Sequence, residues 1–360
     1  MKRRTLLGAA PVASLLATVP WAARAQTSAN SQGWRTFEVV TRLEVTPSTG
    51  EVAAWVPLPL TQTTTWFETM SNTTAGNAEQ TQIYVDPAYG VAMAYARFKT
   101  GEAQPVIEVT SRFRTRDWFV DMRPGSSTLA SAREQALYLK GTDLMPTDGI
   151  VRDTAINITK GAGTDVEKAR AIYDWVIENT ERNPKTRGCG VGDVKAMLET
   201  GTLNGKCADL NAMFVALSRA AGIPARDIYG IRVSTSPRGY KSMGPRPGDI
   251  SKAQHCRAEF YAQGIGWVPV DPADVRKVIL EEAPGLTLAD DRVEQARAML
   301  WGGWEGNWLG YNYGHDIRLP GSSRAPVPFL MYPQAENARG RLDSLDPESF
   351  KYRITSRELT

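Results

Sequence analysis

The chain has 360 residues, of which 42% are hydrophobic and 22% charged. This composition is typical of a globular protein with enough apolar material for two cores. Its formal net charge of +3 depends on the first 25 residues, which hold Lys2, Arg3, Arg4 and Arg24 and no acid, so the remainder carries −1. Because that remainder has neither a positive balance nor a Lys/Arg-rich tract, the sequence predicts no nucleic-acid partner.

The first 25 residues predict a signal peptide. A basic start with the pair Arg3-Arg4 precedes an apolar run to Val19 and the small-residue site Ala23-Arg24-Ala25. This pattern resembles a twin-arginine signal, with general secretion and an uncleaved anchor as the alternatives. We therefore expect a mature chain that starts near Gln26 and is periplasmic or secreted. No second apolar run has membrane length, so no stable membrane insertion is expected once the signal is removed.

Residues 26–120 predict an antiparallel β-sandwich. Short alternating segments rich in β-branched and aromatic residues are separated by Pro, Gly, Asn and Thr turns. The predicted strands cover 37–45, 52–57, 83–85, 91–98 and 106–114, and 75–82 is predicted as a polar loop. Residues 121–163 are interpreted as a linker and docking region.

Helical periodicity begins at Thr164, which forms a capping-box pattern with Glu167. A short helix near 194–199 and an amphipathic helix from Leu210 to Ala221 follow a glycine loop at 188–192. Ser234 to Lys252 form an excursion long enough to be a rim or lid loop. The predicted fold is therefore α+β, with a core at 164–290 and an aromatic-rich C-terminal extension at 291–360. The extension's tryptophans and tyrosines either pack onto the core or line a substrate groove.

Cys207 is the strongest candidate for a reactive group. It opens a predicted helix, where unpaired N–H groups and the positive end of the helix dipole favour a thiolate. His255 begins a later hairpin, in which alternation places Asp271 on the same face and sends Cys256 into the core. A strict two-residue turn would instead place Asp274 opposite His255. Cysteine, histidine and aspartate in this order are the groups that nucleophilic acyl transfer needs.

The remaining candidates have weaker support. Cys189 and Cys256 could form a disulfide, which leaves Cys207 free in an odd set of three cysteines. His315 is predicted as a loop or surface histidine, with a second base as the alternative. Asn204 is either an oxyanion donor or a helix N-cap, and Arg257 with Glu259 form either an ion pair in the cleft or a solvated strand face. Neither a metal nor a cofactor is predicted.

The run from Gly205 to Arg226, His255 and the segment Gly266 to Pro272 resemble the transglutaminase-like superfamily. The resemblance covers residues 164–280 and implies a papain-like α+β core with Cys207 as nucleophile, His255 as general base and Asp271 as the residue that orients it. The β-rich region is similar to the domain that precedes this core in exported bacterial members. The sequence has no calcium loop, so calcium-triggered crosslinkers are a poor analogy.

The function expected from these features is acyl transfer through a thioester. Hydrolysis of peptide or other amide bonds is preferred, with a peptide, a protein or a small amide as substrate. The alternatives are amine transfer to protein glutamine, as in a transglutaminase, and a catalytically silent cell-envelope binding module.

Overall fold

The computed structural model describes residues 33–46, 50–123, 125, 130–245, 248–348 and 350–359. The predicted signal peptide and its cleavage site lie outside these residues. Among the residues described, no helix is both long and apolar enough to cross a bilayer.

The N-terminal half is built mainly from β-strands. Their bounds are β1 (Arg35–Val45), β2 (Val52–Pro57), β3 (Phe67–Gly76), β4 (Gln80–Val85), β5 (Ala92–Phe98), β6 (Val106–Thr115) and the short β7 (Trp118–Phe119). The second half is mixed. Its elements are α1 (Ala132–Leu137), α2 (Gly149–Ile158), α3 (Asp165–Asn179), β8 (Glu181–Arg182), α4 (Val194–Thr200), β9 (Asn204–Gly205), α5 (Cys207–Ala220), β10 (Ala225–Arg232), a 3-10 turn (Lys241–Met243), β11 (Gly248–Asp249), β12 (Gln254–Ala262), β13 (Gly266–Val270), α6 (Pro272–Glu281), α7 (Asp291–Met299), β14 (Gly303–Trp304), β15 (Trp308–Asn312), β16 (Gln334–Asn337), β17 (Gly340–Arg341) and β18 (Phe350–Leu359).

Two antiparallel sheets form the predicted sandwich, with strand orders β11-β18-β1-β6-β3 and β17-β16-β2-β5-β4. Their facing apolar side chains form a shared core that includes Leu43, Val56 and Phe98. Strands from the end of the chain complete both sheets, since β18 pairs with β1 and β16 with β2. The predicted polar loop at 75–82 instead contains the end of β3 and the start of β4. These edge strands are largely exposed, so they lack the apolar alternation by which a strand is recognised.

The core domain packs α5 across an antiparallel sheet with the order β13-β12-β10-β15. Helix α3 begins with the predicted capping box, in which the Thr164 side chain accepts from the Glu167 N–H. Helix α5 differs from the prediction of one buried side, because every residue from Cys207 to Arg219 is buried. Buried polar side chains of this helix form hydrogen bonds within the protein. For example, Arg219 Nε donates to the Ala225 carbonyl over 2.8 Å.

Tryptophans join the sandwich to the core. The Trp66 ring centroid lies 5.4 Å from that of Trp304 and 5.9 Å from that of Trp308, and Trp118 stacks on Trp66. Trp304 and Trp308 are fully buried, and β15 is an edge strand of the core sheet. The aromatic segment therefore packs as part of the core.

Candidate active site

A cleft of about 730 Å³ lies where the start of α5 meets the start of β12. Cys207, Cys189 and His255 line it from the core domain. Residues from the end of the chain line it as well, namely Tyr332, Ser344, Leu345, Pro347, Phe350, Lys351 and Tyr352. The predicted excursion contributes Gly244, Pro245 and Asp249 to Ala253, which agrees with its interpretation as a rim. The cleft is thus formed by segments that are far apart in sequence.

Cys207 is the first residue of α5, and Lys206 is the N-cap. The Asp209 carboxylate clamps this helix start to the preceding glycine loop. Its Oδ1 accepts from the N–H groups of Val191 and Gly192, each over 2.9 Å, and its Oδ2 accepts from the Lys206 N–H over 2.9 Å. Cys207 is therefore held at the positive end of a helix dipole, with its side chain at the cleft.

His255 and Asp271 form a buried pair. Their Nε2 and Oδ2 atoms are 2.7 Å apart. The hairpin register pairs Tyr261 with Trp267 and Glu259 with Pro269, which is the face parity predicted from the sequence. The strand ends at Val270, however, and Asp271 is the N-cap of α6, where its side chain accepts from the Asp274 N–H. Both predicted alternatives reach the histidine, because Asp274 Oδ1 lies 3.4 Å from His255 Nε2.

The two carboxylates differ in their surroundings. Burial and the Asp274 carboxylate raise the pKa of Asp271. Burial acts in the same direction on Asp274, but the adjacent Arg232 guanidinium outweighs it and holds the pKa of Asp274 well below its ordinary value. For His255, burial disfavours the imidazolium, yet Asp274 and Asp271 overcome this effect and raise its pKa. The two carboxylates therefore shift the His255 equilibrium towards the imidazolium.

The other two cysteines are buried and free. Cys189 Sγ donates to the Gln254 carbonyl over 3.4 Å, and its own carbonyl accepts from the Ala208 N–H over 2.9 Å. Hydrogen bonding with Cys207 and Cys256 lowers the pKa of the Cys189 thiol. Cys256 is fully buried among apolar side chains, as the face parity predicts, and burial raises its pKa well above the usual value. In this structure Cys189 and Cys256 do not form the disulfide that the sequence allowed.

Several polar predictions are corrected by the structure. Arg257 and Glu259 are both buried, so they do not form a solvated strand face. They do not pair with each other either. Glu259 bonds Arg226 over 2.6 Å, and the Arg257 guanidinium carbon lies 4.8 Å from the Trp308 ring centroid. His315 is also buried, 3.3 Å from an Asp227 oxygen, and so is not a surface residue.

Asn204 is not the N-cap, which is Lys206. Its side-chain oxygen accepts from Asn183 Nδ2 over 2.9 Å, within the short parallel pairing of β8 with β9.

Sequence reasoning missed three residues that position the pair. Asn211 Nδ2 donates to Asp271 Oδ1 over 3.2 Å and to the Cys256 carbonyl over 2.8 Å. Trp308 Nε1 donates to the His255 carbonyl over 3.2 Å, and Arg232 bonds Asp274. The available signal was Asn211, a polar residue one turn after Cys207 in the mainly apolar middle of the helix.

His255, Asp271 and Asp274 could in principle hold a cation, since one ligand atom of each lies within 4.8 Å of the others. Arg232 already bonds Asp274, and Arg257 Nε lies 3.9 Å from Asp271 Oδ2. A divalent ion would have to compete with these guanidinium groups, and the His255 nitrogen that faces the carboxylates is already bonded. The donor set therefore fits a hydrogen-bonded pair better than a metal site.

Comparison with known proteins gives a family, a relative and a fold. Residues 152–272 match the model of the transglutaminase-like superfamily, a range that contains Cys207, His255 and Asp271. An uncharacterized protein from Haemophilus influenzae is 37% identical over 329 residues, which cover 87% of this chain and 88% of the relative.

Among solved structures, a provisionally named cysteine protease from Cytophaga hutchinsonii has a TM-score of 0.51 at 16% identity, covering 91% of this chain and 99% of that one. At this identity the likeness shows the fold alone. The periplasmic domain of TgpA from Pseudomonas aeruginosa gives a TM-score of only 0.35 at 16% identity, with 74% and 94% of the chains covered, and it carries no argument.

Proposed function

Because the chain belongs to the transglutaminase-like superfamily, we propose that it is a thiol enzyme that hydrolyses peptide or other amide bonds through a thioester on Cys207. The observation that carries the proposal is the buried 2.7 Å contact between His255 and Asp271 at a cleft that Cys207 also lines. A nucleophile, a base and a residue that orients the base are the parts that such chemistry needs.

In the proposed reaction, the Cys207 thiolate attacks the carbonyl carbon of the scissile amide. The Cys207 backbone N–H, at the start of α5, stabilises the resulting oxyanion. His255 then gives its proton to the leaving amine as the C–N bond breaks, which leaves a thioester. His255 next takes a proton from water, the hydroxyl adds to the thioester carbon, and the acid is released with return of the proton to sulfur.

The decisive experiment traps the intermediate. The protein is incubated with a peptide library, and mass spectrometry follows both an acyl adduct on Cys207 and the released product, with and without a primary amine at millimolar concentration. We expect free acid as the main product and no adduct in Cys207→Ala. A dominant amine adduct would favour amine transfer, and the absence of any adduct would favour a silent binding module.

We also propose that the chain is exported and processed, on the basis of its first 25 residues. Mass spectrometry of the periplasmic fraction is expected to find a chain that begins near Gln26. Arg3→Lys combined with Arg4→Lys should retain the protein in the cytoplasm if the route is twin-arginine. Unchanged export of the double variant would instead favour general secretion, and an intact N-terminus in the periplasm would contradict cleavage.

A further inference from the structure

The candidate cleft is strongly cationic. Six basic side chains line it, and Asp249 is the one acid among its lining residues in the described part of the chain. The basic residues are Arg182, Lys206, Arg232, Lys252, Lys277 and Lys351. The chain as a whole does not explain this charge, since residues 26–360 carry a formal net charge of −1. The positive charge is therefore concentrated at the site.

Acidic neighbours neutralise only part of this charge. Arg232 pairs with Asp274, and Glu281 is shared between Arg182 and Lys277 at 2.5 Å and 3.7 Å. Asp249 pairs over 3.2 Å with Arg353, which does not line the cleft. Because Asp249 pairs with Arg353, only Asp274 and Glu281 are set against the six basic groups, and this leaves four positive charges.

Three lysines account for three of these charges, and the fourth belongs to Arg182 and Lys277, which share Glu281. Within the residues described, Lys206, Lys252 and Lys351 make no ion pair. Glu44 lies opposite Lys351 in the strand register, but its carboxylate bonds Arg42 over 2.9 Å. Lys206 directly precedes Cys207, is partly buried and lines the same cleft as the candidate nucleophile.

The interior of the cleft wall also favours an anion. Lys277 is partly buried near Arg232, and burial together with this like charge lowers the pKa of Lys277. Arg232 is almost fully buried, and its Nε has no hydrogen-bond partner among the described residues. A bound carboxylate would offset the repulsion between Lys277 and Arg232 and would accept a hydrogen bond from Arg232 Nε.

We propose that this cleft selects acyl donors that carry carboxylates, so that the preferred substrate is an acidic peptide. Leu345, Phe350 and Tyr352 also line the cleft and provide apolar surface for an aliphatic or aromatic residue of the same peptide. The proposal rests on the proposed function for its catalytic part, whereas the charge preference is also a binding property.

The test compares peptides that differ only in glutamate against glutamine, placed one position at a time on either side of the scissile bond. We expect kcat/KM to be about tenfold higher for the best glutamate peptide at low salt, because opposite charges raise both the encounter rate and the local concentration of substrate. The advantage should shrink on going from about 50 mM to about 500 mM salt, where screening is strong. Equal rates at all positions would overturn the proposal.

Matched variants locate the effect. Lys252→Gln combined with Lys351→Gln should remove most of the glutamate advantage, measured as the ratio of kcat/KM for the glutamate peptide to kcat/KM for the glutamine peptide. Lys99→Gln combined with Lys160→Gln, at two exposed lysines outside the cleft, makes the same change of charge and should leave the glutamate advantage intact. An equal loss in the control would mean that the protein's overall field, and not the cleft, attracts the substrate.

A binding assay tests the charge preference independently of the proposed reaction. Fluorescence anisotropy with Cys207→Ala and dye-labelled peptides containing either four glutamates or four glutamines measures the preference without turnover. Tighter binding of the acidic peptide by about tenfold, lost in the double lysine variant, supports the charge preference even if no thioester is ever found. Equal binding of the two peptides overturns it, even if Cys207 is shown to be catalytic.

Discussion

At the scale of single residues, the structure places the three cysteines in different surroundings. Cys207 and Cys189 both reach the cleft, whereas Cys256 is enclosed in the core. Only Cys207 also stands at the start of a long buried helix. Position on the helix and access to the cleft together favour Cys207 as the nucleophile.

Substitutions in the proposed triad should have graded effects. Cys207→Ala should abolish acyl transfer, and His255→Ala should nearly do so. Asp271→Asn should lower kcat by roughly 10²- to 10⁴-fold, because this residue orients the imidazole and stabilises its charged form. Steady-state kinetics on a cleaved peptide measures all three. Cys189→Ser and Cys256→Ser serve as controls and should retain the chemistry; loss of activity in a folded Cys256→Ser protein would contradict the assignment of strand faces.

The pKa of His255 should depend on Asp274. The Asp274 and Asp271 carboxylates raise this pKa against the effect of burial, so Asp274→Asn should lower it. NMR titration of the imidazole ring can measure the shift, with His315 as the only other histidine in the chain. An unchanged His255 pKa in a folded variant would show that Asp274 has no electrostatic role.

The same shift has a consequence for stability. The folded pKa of His255 lies above the unfolded value of about 6.5, so its contribution to stability is complete below that pH. It is lost as the pH rises through the folded pKa. The difference in free energy of unfolding between wild type and His255→Gln, measured by urea titration at several pH values, should therefore become less favourable to wild type with increasing pH. A difference that grows with pH would have the wrong sign.

At the scale of elements, the glycine loop at 188–192 and the start of α5 form one unit. Asp209 joins them through three backbone N–H groups, and both Gly190 and Gly192 have positive φ. A Cβ at Gly190 would lie 1.8 Å from Asp209 Oδ2. The loop that carries Cys189 can therefore approach the helix closely only with glycine at position 190.

Gly190→Ala should accordingly be much more harmful than an alanine at another left-handed glycine. Alanine at position 190 must adopt a φ of +94° and must also displace the Asp209 carboxylate. We therefore expect a loss of about 3 kcal/mol in unfolding free energy, together with a reduced kcat. Gly201→Ala is the matched control: its φ is +67° and no atom lies within 4 Å of the added Cβ. It should cost only about 1 kcal/mol, as measured by denaturant unfolding. Similar losses in the two variants would mean that Asp209 is not the constraint.

At the scale of the whole molecule, the end of the chain ties the sandwich to the site. Strand β18 lies between β11 and β1, and its first residues, Phe350 to Tyr352, line the cleft. The tryptophan contacts add a second connection, because Trp66 belongs to the sandwich side and Trp304 and Trp308 to the core side. We therefore expect sandwich and core to unfold together.

Ile354→Ala tests this cooperativity. The side chain is buried in β18, so its truncation should cost about 2–5 kcal/mol. The loss should shift one single transition, whether unfolding is followed by tryptophan fluorescence or by far-UV circular dichroism. Arg353→Ala, at an exposed position of the same strand, should have little effect. Two separated transitions, of which only one responds, would show that the sandwich unfolds independently.

Much of this architecture was predictable from the sequence because its signals are local. The capping box at Thr164, the alternating strands of the sandwich and the helix that begins at Cys207 each depend on residues within one or two turns of each other. The face parity of the His255 hairpin is equally local, because neighbouring side chains on a strand point to opposite sides. The sequence by itself thus determined the fold class, and it predicted Cys207, His255 and Asp271 as the candidate reactive groups.

The tertiary structure alone decided how those groups are surrounded. It brought both Asp271 and Asp274 to His255, since the chain leaves the strand at Val270 and turns at once into a helix. It placed Asn211, Arg232 and Trp308 around that pair and completed both sandwich sheets with strands from the end of the chain. These contacts join residues that are far apart in sequence. Their pairing is fixed by burial and by the cost of leaving buried polar groups without partners, and no local pattern encodes either condition.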